Sequence, residues 1–243
     1  MARIYGTGLA PRVRDAIVRE TFTSYARYWL ESFRLPGTSA EELAAGVTAT
    51  GLDAVADALA AGTGVVVALP HLGGWEWAAF WLAEVHRWPV TAVAEPIEPP
   101  ELAEWFLDLR ASLGMEIVPL GPGAGAACMR ALKENRVLCL VCDRDLAGDG
   151  IPVPFLGEVT TLPAGPATLA LRSGAPLLTA ATYFDGRRHR FVVEPPIDTS
   201  RQGRIREDVE RVTAAVAERL EASIRTAPEQ WHLLQPNWPS DCA

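Results

Sequence analysis

The stretch Gly64-Val-Val-Val-Ala-Leu-Pro-His-Leu-Gly-Gly-Trp-Glu76 constrains the rest of the chain most strongly. Val65 to Leu69 is an apolar, β-branched run of the kind that fits a strand buried on both faces. Pro70 cannot donate to a sheet ladder, so the strand is expected to stop there. Gly73 and Gly74 allow a tight turn, and Trp75 to Val85 reads as a helix. His71 then falls just past the carboxyl end of a strand, with Glu76 in the first turn of the following helix. In open α/β sheets ligands bind at that edge. A neutral imidazole can take a proton from a hydroxyl, and a nearby carboxylate can fix its tautomer and steady the imidazolium. Glu76 is expected to reach back toward His71 in that role. The free amides of the helix start are expected to hold a developing oxyanion. A lone His-x4-Glu is a weak motif, and an exposed loop histidine followed by a dipole-favoured glutamate fits the fragment equally well.

Further along, strand and helix patterns alternate. Helices are expected near Leu52 to Ala61, Pro99 to Leu113, Ala124 to Glu134, Leu162 to Ser173 and Ile205 to Arg225. Strands are expected at Val90 to Glu95, Met115 to Leu120, Val137 to Cys142, Pro176 to Tyr183 and His189 to Val193. This alternation implies βαβ units, a mainly parallel central sheet and flanking helices in one α/β domain. The last two strands are placed to pair as an antiparallel hairpin through Asp185-Gly186. A length of 243 residues and a hydrophobic content of 49% suit such a core.

Residues 11 to 34 read as one helix, with Phe22, Tyr25, Trp29 and Phe33 forming an aromatic stripe. The first 34 residues carry six arginines (Arg3, Arg12, Arg14, Arg19, Arg27, Arg34) against Asp15, Glu20 and Glu31, inside a chain of net charge −8. The stripe either packs into the core or rests on an anionic bilayer. Residues 1–36 are therefore set apart as a membrane-proximal amphipathic helix, with 37–243 as the α/β portion. The acidic balance argues against nonspecific nucleic-acid binding. No apolar run is long enough to span a bilayer, and no signal-type stretch opens the chain, which points to a cytoplasmic location.

Two further motifs compete for attention. Cys139 and Cys142 form a C-x-x-C within a strand pattern, where residues three apart face opposite ways. With Cys128 and Cys242 elsewhere, core thiols are expected rather than a metal or redox site. Gly121-Pro-Gly-Ala-Gly-Ala126 fits the dinucleotide fingerprint, with Asp143 ending the next strand. That leaves a nicotinamide-dependent oxidoreductase as an alternative, although Pro122 stiffens the loop and the reading gives His71 and Glu76 no task.

Several blocks, in order, resemble the bacterial lipid A lauroyl/myristoyl acyltransferase family, and within it the phosphatidylinositol mannoside acyltransferases. They are Tyr25 to Pro36, Leu69 to Glu76, Val93-Ala-Glu95, Leu109 to Gly114, Asp143-Arg-Asp-Leu146, Phe155 to Glu158 with Pro163 to Pro166, and Trp231 to Trp238. The resemblance implies an acyl-CoA donor, an acceptor hydroxyl on a membrane glycolipid, and peripheral attachment to the cytoplasmic face of the cell membrane. It implies His71 as the catalytic base with Glu76 as its acidic partner. Asp143 stands where relatives carry a second catalytic acid, typically Glu, and Glu95 matches a further active-site acid. Arg110 matches an active-site arginine. Gly73, Gly74, Arg144, Asp149 and Arg172 are expected to contribute to substrate binding. Acyl transfer from a thioester needs neither a metal nor a resident cofactor, so none is expected. An inactive, lipid-binding relative remains the non-enzymatic alternative.

Overall fold

The computed structural model describes residues 2–6, 8–95, 98–112 and 114–241. The helices are α1 (Ala2–Tyr5), α2 (Pro11–Arg34), α3 (Ala40–Ala45), α4 (Asp53–Ala60), α5 (Trp75–Glu84), α6 (Pro100–Ser112), α7 (Ala124–Lys133), α8 (Gly165–Ser173) and α9 (Ile205–Thr226). The strands are β1 (Val47–Thr50), β2 (Val65–Leu69), β3 (Val90–Ala94), β4 (Glu116–Pro119), β5 (Val137–Val141), β6 (Ile151–Phe155), β7 (Glu158–Leu162), β8 (Leu177–Asp185) and β9 (Arg188–Val193).

Seven strands form one sheet in the order β1-β9-β8-β2-β5-β3-β4. Every pairing within it is parallel except β8 with β9, which turn back through the expected hairpin. The β-branched run Val65–Leu69 occupies the middle, between β5 and β8. Its alternate residues feed two separate cores, as a sheet with helices on both faces requires. Val66 and Ala68 join the cluster covered by α7, α8 and α9, while Val65 and Val67 join the one covered by α4, α5 and α6. Cys139 and Cys142 divide the same way, Cys142 to the first face and Cys139 to the second, so they are two core thiols on opposite sides. Cys242 lies outside the described residues.

Two elements escape the strand-and-helix pattern. Val47–Thr50 pairs with β9 at the sheet margin, and β6 and β7 form a small antiparallel hairpin. That hairpin corrects the expectation that Leu162 opens a helix. Leu162 is buried as the last residue of β7, and α8 begins at Gly165. Ile151-Pro-Val-Pro-Phe carries two prolines, which usually demote a strand; both sit on exposed positions of a two-stranded ribbon, while Val153 and Phe155 point inward.

Helix α2 matches its expected bounds, but its buried face is not the aromatic stripe. Thr21, Ser24, Tyr28 and Ser32 face the body of the protein. Phe22 and Phe33 remain exposed, and Tyr25 and Trp29 are half-buried. Among the described residues, no helix is long and apolar enough to cross a membrane.

Candidate active site

The parallel order β2-β5-β3 aligns three strand ends along one sheet edge. His71 follows β2, Asp143 follows β5 and Glu95 follows β3. At the first of these junctions the chain turns sharply. Gly73 has φ +58°, and a Cβ there would lie 2.2 Å from the Thr182 carbonyl oxygen. A Cβ on Gly74 would lie 2.5 Å from the His189 ring. Both glycines are thus required by close packing against β8 and β9. The Gly73 amide, one of those expected to hold an oxyanion, donates instead to the Gln230 carbonyl at 2.9 Å. The next amides lie ahead of Ala78, whose N–H is bonded to the Gly74 carbonyl. They retain the free N–H character of a helix start.

The turn delivers His71 to Asp143. His71 Nδ1 lies 2.6 Å from Asp143 Oδ1, and the His71 amide donates to Asp143 Oδ2 at 3.0 Å. The indole N–H of Trp231 also donates to Oδ2, at 2.7 Å, and the Asn237 side-chain amide donates to the Asp143 carbonyl at 3.2 Å. Asp143 is fully buried. Burial alone would push its carboxyl up. The charge and ring hydrogen bond of His71, the Trp231 indole and the His71 amide outweigh it and hold Asp143 below the usual carboxylate range. With Nδ1 turned to Asp143, Nε2 is the ring nitrogen left for chemistry. The His71 side chain keeps 18% of its surface exposed.

Glu76 does not take the place expected of it. It is buried in the first turn of α5 and forms an ion pair with Arg110 of α6, with a second contact of 3.3 Å from Arg110 Nε to Glu76 Oε2. Burial works to lower the Arg110 pKa, yet the adjacent Glu76 carboxylate raises it above its ordinary value. The physical reason is reach: the helix carries Glu76 under α5, toward α6, while the strand end aims His71 at β5. Asp143 therefore holds the ring, despite having the shorter side chain of the two acids.

The remaining expected residues separate by topology. Glu95 and Arg144 meet in an ion pair at the same edge as the His71–Asp143 pair. Asp145 accepts the Gly148 and Gly150 amides rather than pairing with Arg144. Asp149 is exposed in the loop that follows. Arg172 is displaced: it lies at the end of α8, just before β8 begins, and so at the sheet edge opposite His71. Its place in a substrate pocket is not borne out by the fold.

Beneath α5 a narrow apolar cavity of about 70 Å³, partly open to solvent, runs along the sheet. Val67, Leu69, Ala79, Leu82, Cys139 and Phe191 are among its walls, with Glu76 and Arg110 as its charged lining. Trp75 connects cavity and base. It is one of the cavity's lining residues, and its ring lies edge-on to His71 with centroids 5.3 Å apart. Burial pushes the Cys139 thiol up to about 12, so it is an inert wall residue rather than a nucleophile.

Sequence reasoning missed the C-terminal segment as part of the site. Trp231 binds Asp143, and the backbone amide of His232 donates to the His71 carbonyl at 2.8 Å. The His232 ring is buried, with Nε2 2.8 Å from Ser24 Oγ of α2. Its pKa is pushed down to about 3, by burial first and the neighbouring His71 second. The sequence did signal this segment, as the Trp231 to Trp238 block of the family resemblance and as aromatic residues with a polar handle to place, but neither signal assigned it a role beside His71.

The Gly121–Ala126 alternative fails on topology. In a dinucleotide unit the strands flanking the glycine-rich turn are neighbours. Here β3 lies between β4 and β5, and Asp143 is committed to His71.

A sheet-edge histidine and acid beside an apolar cavity suit transfer of an apolar group. The chain matches the family model for bacterial lipid A biosynthesis acyltransferases over residues 2–240. It is 41% identical to the phosphatidylinositol mannoside acyltransferase of Mycolicibacterium smegmatis over 244 residues, which cover 99% of this chain and 78% of the relative. It is 42% identical over 247 residues to the protein of that name from Mycobacterium tuberculosis, covering 99% and 76%. The chain belongs to the bacterial lipid A biosynthesis acyltransferase family.

Proposed function

We propose that this acyltransferase moves a long acyl chain from acyl-CoA to a sugar hydroxyl of a phosphatidylinositol mannoside-type glycolipid. The observation that carries the proposal is the His71–Asp143 pair at the sheet edge, with Trp75 both against the His71 ring and among the residues that line a narrow apolar cavity. His71 Nε2 takes the proton of the acceptor hydroxyl. The freed oxygen attacks the thioester carbonyl, and the intermediate collapses with loss of the CoA thiolate, which receives the proton from the imidazolium. Asp143 keeps Nδ1 protonated and offsets the charge that forms on the ring. The Arg144–Glu95 pair borders the same edge and is assigned to substrate positioning. The named activity of the two relatives supports the choice of acceptor. Exposed Val13, Val18, Phe22, Leu30 and Phe33 on the arginine-rich α2 support peripheral contact with an anionic bilayer at the cytoplasmic face.

The test is a transfer assay with palmitoyl-CoA and a phosphatidylinositol mannoside acceptor presented in anionic vesicles. CoA release and acylated product are expected together, with transfer falling as salt rises. His71→Ala is expected to lower the rate about 10²- to 10⁴-fold. Palmitoyl-CoA is expected to raise the melting temperature of both forms, because it binds only the folded chain. Near-normal transfer by His71→Ala would remove the base from this mechanism. No transfer by the wild-type chain would favour an inactive lipid-binding relative.

A further inference from the structure

The segment Gln230–His232 runs along His71–Gly73 like a second strand. The Gly73 amide donates to the Gln230 carbonyl, Leu72 and Trp231 form an antiparallel bridge, and the His232 amide donates to the His71 carbonyl. The backbone on both sides of the base is therefore pinned to the C-terminal segment. The Trp231 ring is fixed in turn. It lies edge-on to Phe155, with centroids 6.3 Å apart, and to Trp238, at 6.2 Å. Gln230 clamps the far side, accepting from the Phe184 amide at 2.6 Å and donating to its carbonyl at 3.2 Å.

We propose that Trp231 is a positioning residue for acyl transfer: its indole N–H, held by this clamp, fixes Asp143 Oδ2 so that Oδ1 faces His71 Nδ1. The inference rests on His71 being the base. A carboxylate with no solvent contact needs a donor for each oxygen. Oδ1 has the His71 ring, and Oδ2 has the indole and the His71 amide. Without the indole, the charge on Oδ2 is less well satisfied, and the His71–Asp143 pair binds its shared proton more tightly. Both routes to that result, a more basic imidazole and a more basic carboxyl, have the same sign.

The other ionisable groups around the pair leave this sign intact. His232 on the C-terminal segment stays neutral. Burial and the Asp143 charge push the Cys142 thiol up. Arg144 is turned to Glu95, and Glu76 and Arg110 pair with one another.

The experiment compares Trp231→Phe with Trp238→Phe in the full chain. Trp238 is the matched control: it is equally buried in the same aromatic cluster, and its indole donates to the Phe155 carbonyl at 2.9 Å rather than to Asp143. Two quantities are read: the NMR titration midpoint of the His71 ring, and the acid limb of kcat/KM with palmitoyl-CoA. Trp231→Phe is expected to move both upward by roughly one pH unit, the scale of one hydrogen bond to a charged group. The KM for palmitoyl-CoA is expected to stay put. Trp238→Phe keeps an aromatic ring against Trp231 and removes only the bond to Phe155, so it is expected to lose thermal stability and move neither. A folded Trp231→Phe protein with an unmoved midpoint overturns the inference while leaving the proposed activity intact. An inactive wild type overturns the activity, and the NMR midpoint still decides the role of Trp231. Should Trp231→Phe not fold, the wild-type Trp231 indole proton decides: its resonance is expected to titrate with the pair, and a pH-independent resonance overturns the inference.

Discussion

His71 and Glu76 leave the same turn, five residues apart, and end in different environments. His71 stays partly exposed at the sheet edge, held by an acid from the neighbouring strand. Glu76 goes under α5 into a buried ion pair with Arg110. One pair keeps a ring nitrogen free for substrate. The other satisfies both its charges internally, at a place where two helices close over a cavity. Nearness in sequence thus brings two chemically different units together, one able to move a proton and one that fixes the shape of the wall.

The contrast breaks first at Asp143. Asp143→Asn puts an amide where three donors already converge, so one N–H must face another donor. Transfer is expected to fall about 10²- to 10⁴-fold, with the wrong His71 tautomer favoured. Asp143→Glu restores the charge on a longer arm and is expected to recover part of that loss. If Asp143→Asn transfers normally in steady-state assays, His71 does not depend on this acid.

Glu76→Gln probes the other pair, and the expected loss is of stability rather than of proton transfer. Removing one charge leaves a largely buried Arg110 beside a neutral amide, and breaking a fully buried pair in this way typically costs about 3–5 kcal/mol, an upper bound here. Chemical denaturation is expected to show that loss, and Glu76→Gln combined with Arg110→Met is expected to recover much of it. A Glu76→Gln protein that is fully stable yet shifted in its pH–rate profile would return Glu76 to the role its spacing from His71 suggests.

The same contrast marks how far the sequence could be read. Strand periodicity and Pro70 were enough to place His71, Glu95 and Asp143 at strand ends, because parallel strands in one sheet share a direction. Which acid meets the histidine depends on strand order, and no local pattern encodes that β5 lies next to β2. Which face of α2 packs was not legible for a related reason. Aromatic spacing identifies a helix face, yet the face that packs is set by what it meets, and here Ser24 meets His232 while Tyr28 stacks on Trp75. Trp231 was illegible because its partner lies 88 residues earlier in the chain.

His232 offers the finest division between the two kinds of histidine. Like His71 it sits among aromatic rings beside Trp75, but its partner is a hydroxyl rather than a carboxylate. Burial therefore acts on it without an acid in direct contact to offset the effect, and its pKa falls from 6.5 to about 3. The folded chain thus binds fewer protons at this ring than the unfolded chain between those two values. Stability is full above about pH 6.5 and declines as pH falls toward 3, by on the order of 1 kcal/mol per pH unit from this group. Asp143 acts in the same direction but only lower, where an unfolded carboxylate begins to protonate. Urea unfolding of wild type and His232→Gln between pH 7 and pH 4 separates the two. His232→Gln is expected to flatten the decline across that range, although its stability at pH 7 drops somewhat through lost packing against Tyr25 and Tyr28. Parallel curves for the two proteins would mean that burial does not hold the His232 ring neutral in the folded chain.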